Sequence, residues 1–129
     1  MKATPQPNPT PSELEILQVL WSRGPSTVRE VHDAVSATKQ LGYTTVLKLM
    51  QIMTAKGLVT RSETQRAHVY EAQEPAAKTK QQFASDMLQR VFQGSTSELM
   101  LHALAGHRSS KEELKELRQM LDEFERKQK

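Results

Sequence analysis

GYTTVLKLMQIMTAKGLVTRSETQRAHVYEA, residues 42–72, changes its hydrophobic period partway along. Val46, Leu49, Met50 and Met53 recur at i, i+3, i+4 and i+7, the stripe of a helix buried on one side. Thr44, Thr45, Lys48 and Gln51 fall on the opposite side. That helix is expected to show water only hydroxyls, an amide and an ammonium, side chains suited to phosphates and base edges. Gly57 is expected to end it, because a residue without Cβ takes the left-handed conformation at little steric cost. Beyond it, Leu58-Val59-Thr60 and His68-Val69-Tyr70 are β-prone runs. They flank Ser62-Glu63-Thr64-Gln65-Arg66, a polar hairpin tip with Arg61 and Arg66 beside it.

Upstream, Ser12 with Glu15 has the spacing of a capping box that opens a first helix. Leu14, Leu17, Leu20 and Trp21 are its expected apolar face, and Gly24-Pro25 its stop. Ser26 or Thr27 caps a second helix, Thr27 with Glu30 making another box, and Val28, Val31 and Val35 point inward. A polar joint, Ser36 to Leu41, leads to the helix that begins near Tyr43. Three helices and a hairpin within residues 12–74 predict a winged helix-turn-helix. The lead-in MKATPQPNPTP, residues 1–11, is proline-rich, lacks the apolar run of a secretory signal and is expected to be disordered.

After Glu74-Pro75 the pattern is helical only. Phe83, Met87, Leu88, Val91 and Phe92 form a stripe, Gly94-Ser95 breaks it, and Leu99, Leu101, Ala103 and Leu104 make a short helix ending near Gly106. Ser109 and Ser110 precede a last helix, with Glu112 or Glu113 as box partner. Its Leu114, Leu117, Leu121 and Phe124 are spaced 3, 4 and 3 residues apart, a heptad-like seam. Three such helices hold too little apolar surface for an independent domain. They fold back on the winged module or, more economically, pair with the same segment of a second chain. Phe83, Met87, Val91, Leu99, Leu104, Leu114, Leu117, Leu121 and Phe124 are the expected dimerisation residues. The fold class is mainly α with a small β-hairpin wing (α+β), a winged helix-turn-helix followed by an all-helical dimerisation region over residues 75–129.

Composition narrows function further. Net charge is +3, but its distribution is uneven. Residues 12–38 carry Glu13, Glu15, Glu30 and Asp33 against Arg23 and Arg29, whereas residues 39–70 carry Lys39, Lys48, Lys56, Arg61 and Arg66 against Glu63. The basic excess sits on the third helix and wing, where neutralising phosphates releases counterions. There is no cysteine, which removes disulfides and thiolate metal sites and fits a cytoplasmic protein. No apolar run approaches a membrane span. The four histidines, His32, His68, His102 and His107, are scattered, and the glycines are isolated, so neither a catalytic metal site nor a phosphate loop is expected and no cofactor is implied. The serious rival to DNA binding is a winged helix used as a protein-interaction module. The polar outer face of the third helix argues against it, because protein interfaces favour aromatic and apolar anchors.

The same residues resemble the penicillinase-repressor family of bacterial transcriptional regulators, the BlaI/MecI/CopY type. The resemblance runs from Pro11 to Phe124 through Ser12, Glu15 and Trp21, Val28 and Val31, Tyr43-Thr44-Thr45-Val46, Lys56-Gly57-Leu58-Val59, Tyr70, and Glu113-Leu114-x-x-Leu117-x-x-Met120-Leu121. It implies a homodimeric repressor on a two-fold symmetric operator of double-stranded DNA, the helices after Pro75 interlocking between subunits. It also implies relief by proteolysis within the dimerisation region, triggered by a membrane-bound sensor metallopeptidase. Carried over by residue, Tyr43, Thr44, Thr45, Lys48 and Gln51 fall where the family's recognition helix faces DNA, and Arg61, Arg66 and His68 fall on its wing. Side-chain chemistry suggests the roles. Thr44 and Thr45 suit a phosphate or a thymine methyl, Gln51 an adenine, and Lys48 a guanine or a phosphate. The wing residues suit backbone or minor groove. Leu47 stands where some members place a basic residue. His102-Ala103 stands where the best-known repressors have the Asn-Phe bond that is cut. The cysteine cluster of the copper-sensing branch is missing here.

Overall fold

A computed structural model describes residues 8–63 and 67–128 of the chain. Its elements are α1 (Pro11–Arg23), α2 (Val28–Val35), α3 (Tyr43–Lys56), β1 (Val59–Ser62), β2 (Val69–Ala72), α4 (Ala76–Arg90), α5 (Thr96–Ala105) and α6 (Lys111–Lys127). They fall into two compact units that part within α4, between Ala84 and Ser85.

In the first unit α1 begins earlier than its expected cap. Thr10, not Ser12, is the N-cap: its Oγ1 accepts from the Glu13 backbone N–H at 3.2 Å, and the Glu13 carboxylate accepts from the Thr10 N–H at 2.9 Å. Pro11 explains the shift, since its fixed φ suits the first helical position and its missing N–H would have had no intrahelical partner. The expected lead-in therefore stops short of Pro11, with Pro9 already buried; residues 1–7 lie outside the described residues. The inward face also differs from the expected one, with Leu14 only half-buried and Ile16 inside. Ile16, Leu17 and Leu20 are buried, and Trp21 is half-buried with its indole N–H donating to the Glu74 carbonyl at 3.0 Å.

α2 starts where expected. Thr27 and Glu30 form a capping box, and Val28, Val31 and Val35 are buried. α3 buries Val46, Met50 and Met53 and ends at Gly57, whose φ of 82° and ψ of 15° are left-handed. Leu58 N–H reaches back to Met53 O at 2.9 Å and Gly57 N–H to Thr54 O at 3.2 Å, which satisfies two carbonyls at the helix end and turns the chain into the hairpin.

β1 and β2 pair antiparallel with Val59 opposite Ala72 and Arg61 opposite Tyr70, each strand lying about one residue later than its apolar run suggested. Ser26 adds an isolated bridge on the far side of β2, exchanging both backbone hydrogen bonds with Tyr70 at 2.9 and 2.8 Å. That bridge ties the α1–α2 connection to the hairpin. The core is Ile16, Leu17, Leu20, Val28, Val31, Val35, Val46, Met50, Met53, Leu58, Val59 and Tyr70, so α1, α2, α3 and both strands supply it. Fully burying one such side chain is worth about 1.5–3 kcal/mol, which makes this stripe the main source of the unit's stability.

The helices after the hairpin are built differently. α5 is capped by Ser95, which accepts from Glu98 N–H at 3.2 Å, and α6 by Ser110, which accepts from Glu113 N–H at 3.0 Å. Neither α4, α5 nor α6 buries a single residue. Among the described residues no helix is long and apolar enough to cross a membrane.

Candidate nucleic-acid interface

α3 carries the interface residues because its stripe leaves the other side outward. Thr44, Thr45, Lys48 and Gln51 are all exposed on it. The expectation that water meets only polar side chains there needs correction, since Tyr43 and Ile52 are each 41% exposed. Tyr43 opens the helix, and Ile52, four residues after Lys48, stands on the same exposed face. Leu47, by contrast, is half-buried and packs on the core. The helix start is capped by Gly42 with no side-chain hydrogen bond, so the amides of the first turn keep their donors for an incoming acceptor.

The local charges differ from the pattern in the sequence. Lys39 pairs with Glu15 at 3.9 Å, Lys56 with Glu13 at 2.9 Å and Arg61 with Glu63 at 2.8 Å. Of the cations counted as a basic excess, Lys48 is left without a carboxylate among the described residues, and Arg66 lies outside them. The Lys56–Glu13 pair is internal to the fold: the Glu13 side chain is 3% exposed, and both its oxygens accept from Lys56 Nζ at 2.9 Å. It bridges the start of α1 to the end of α3. No periodicity signals it, because the partners are far apart in sequence and Glu13 looks like an ordinary first-turn acid.

The Arg61 guanidinium donates to Glu63, and that bond, followed by one with Tyr70, holds its pKa above the usual arginine value. His68 is exposed just ahead of β2, and the expected tip residue Arg66 is among those outside the described residues. Thus the α3 residues share one exposed helix face, whereas Arg61 is engaged by its own hairpin.

One cluster was not anticipated. Arg29 and His32, one turn apart on α2, flank Tyr43. The Arg29 Cζ lies 5.3 Å from the centre of the Tyr43 ring, and the His32 ring meets it edge-on at 5.9 Å. His32 is itself held, its Nδ1 3.4 Å from Asp33 Oδ1 and its Nε2 3.2 Å from Ser36 Oγ. The available signal was Arg29 on the exposed side of α2, one turn before a half-buried His32 at the edge of the valine stripe. Among the described residues no group of three metal-ligating side chains gathers. In α5, His102 and Ala103 are exposed, and the His102 ring lies 5.7 Å from Phe92.

Comparison with known proteins bears on the fold and the family. The sequence profile of the penicillinase repressor family matches residues 9–123. The transcriptional regulator BlaI of Mycobacterium tuberculosis is 46% identical over 59 residues, 45% of this chain and 43% of that protein, so the match spans less than half of the mycobacterial relative. The penicillinase repressor of Bacillus licheniformis is 26% identical over 129 residues, 100% of this chain and 99% of that one. A solution structure of monomeric Bacillus licheniformis BlaI in complex with the blaP half-operator matches with a TM-score of 0.50 and 22% identity, covering 57% of this chain and 89% of the other. That likeness bears on the fold and agrees with a winged helix. The chain belongs to the penicillinase repressor family, a family of transcriptional repressors.

Proposed function

We propose that the chain is a sequence-specific DNA-binding transcriptional repressor that acts as a homodimer on a two-fold symmetric operator in the cytoplasm. The observation that carries this is the exposed face of α3, where Thr44, Thr45, Lys48 and Gln51 stand together and Lys48 has no carboxylate partner among the described residues. An ammonium in that state keeps its charge for a phosphate or the acceptor edge of a guanine. The complex of the Bacillus licheniformis relative with its half-operator supports the same partner. Residues 12–74 form the DNA-binding domain in this reading, and residues 75–129 the dimerisation domain.

The second half of the chain supports a second copy as partner. α6 leaves Leu121 64% and Phe124 58% exposed, and α5 leaves Leu101 64% exposed. Apolar side chains grouped in this way mark an interaction surface, and a two-fold dimer sets two α3 helices at half-sites about 34 Å apart or a multiple of it. Relief of repression by a membrane-bound sensor metallopeptidase would act on α5, where His102-Ala103 is accessible.

Selection from a random duplex library tests the function. The expected outcome is enrichment of an inverted repeat whose half-sites are separated by about one helical turn or a near multiple. Lack of enrichment, with a peptide or protein bound to the α3 face instead, would favour the interaction-module reading.

A further inference from the structure

We propose that Arg29 of α2, stacked on Tyr43, is a backbone-phosphate clamp for operator DNA, a second anchor beside the α3 face; the inference rests on the DNA-binding reading above. From Arg23 to Arg61 the cations are Arg23, Arg29, Lys39, Lys48, Lys56 and Arg61. Arg23 pairs with Glu30 at 3.4 Å, and Lys39, Lys56 and Arg61 each hold a carboxylate. Arg29 joins Lys48 as a cation with no carboxylate partner among the described residues. Both belong to the helix pair of the helix-turn-helix.

Geometry says why Arg29 would be useful there. Its guanidinium lies over the face of Tyr43, the first residue of α3, at 5.3 Å from the ring centre. A planar cation over an aromatic face is held by the ring quadrupole yet keeps its edge N–H groups outward. Fixing the guanidinium beforehand lowers the entropy lost when it meets a phosphate. His32 supports Tyr43 from the ring edge and has contacts of its own to Asp33 and Ser36. It therefore positions the aromatic ring and is not the anion ligand. A guanidinium at the α2 edge of the α3 start can take the phosphate strand that borders the groove α3 enters, fixing register without reading bases.

The test is a salt series of binding titrations on the selected operator duplex and on an unrelated duplex, using the full chain, with thermal unfolding measured alongside. Arg29→Ala is expected to lose affinity on the order of tenfold on both duplexes alike, and its slope of log K against log salt should fall in magnitude by about 0.9. Arg29→Lys, which keeps the charge but not the planar stack, should recover the wild-type slope with only part of the affinity. Arg29→Gln serves as a second neutral variant should the alanine variant fold poorly. An unchanged slope in the neutral variants, with or without a lower melting temperature, overturns the proposal, because a merely structural contact moves stability and not counterion release. A loss confined to the operator duplex also overturns it, since a phosphate contact carries no base information. Wild-type protein that binds neither duplex removes the repressor reading itself, an outcome distinct from wild-type binding with an unaltered Arg29→Ala slope.

Discussion

Lys48 and Lys56 leave the same helix, and only Lys48 is available to a ligand. The amphipathic stripe of α3 made the orientation of Lys48 legible, because Val46, Met50 and Met53 fix which side faces the core. The state of Lys56 was not legible, since its partner Glu13 comes from the far end of α1 and only the folded backbone joins them. Lys48→Ala should weaken operator binding by about 1–2 kcal/mol, read in a binding titration; unchanged affinity would take Lys48 off the interface. Lys56→Met should leave operator contacts in place but strand a buried carboxylate. Breaking such a pair from one side costs about 3–5 kcal/mol, a large share of the stability of a small domain. Thermal unfolding of that variant checks it, and a melting temperature within a degree or two of wild type would mean that Glu13 finds another partner. The exposed Ile52 departs from the expected all-polar outer face. A period identifies the buried stripe well but does not exclude an apolar residue from the opposite face.

Element by element, the helices were legible and their ends were less so. Thr27 and Glu30 carry the α2 box as the spacing required, while α1 took Thr10 and Glu13 over the competing Ser12 and Glu15 because Pro11 fits the first turn. The strands shifted by about one residue, since the left-handed Gly57 turn places Leu58 in the core before pairing starts. The Ser26–Tyr70 bridge had no sequence signal, being a single residue with no alternation around it. Thr27→Ala should destabilise α2 by about 1 kcal/mol, and because α2 holds α3 the loss should appear as global unfolding at lower denaturant. The Glu30 carboxyl is held below its ordinary value, first by the backbone hydrogen bond from Thr27 and also by the Arg23 charge. A depressed carboxyl contributes stability at pH above its unfolded value, and that contribution is lost as pH falls through the folded value. Acid titration of Glu30→Gln should accordingly show a smaller loss of stability across the carboxylate range than wild type, whereas parallel curves would show that the Glu30 carboxylate is not the cause.

At the scale of the molecule, the two halves differ in how they hold together. The winged unit closes on its own core, whereas α4, α5 and α6 bury nothing and carry exposed Met87, Val91, Leu101, Leu104, Met120, Leu121 and Phe124. The heptad-like spacing of α6 was visible in sequence, and the dimerisation proposed for it rests on the apolar side chains it leaves exposed. Leu117→Asp should convert the proposed homodimer to monomer in sedimentation equilibrium and lower operator affinity by more than tenfold, as two linked half-sites become independent; a stable dimer would move the interface elsewhere. The most direct measurement of the central claim is a mobility-shift titration of the full chain against the DNA upstream of its own gene, with unrelated DNA as competitor, at low and physiological salt. The account predicts a discrete complex that survives physiological salt and the competitor, with affinity falling steeply and linearly in log salt. Equal binding to both DNAs, or none to either, would contradict it.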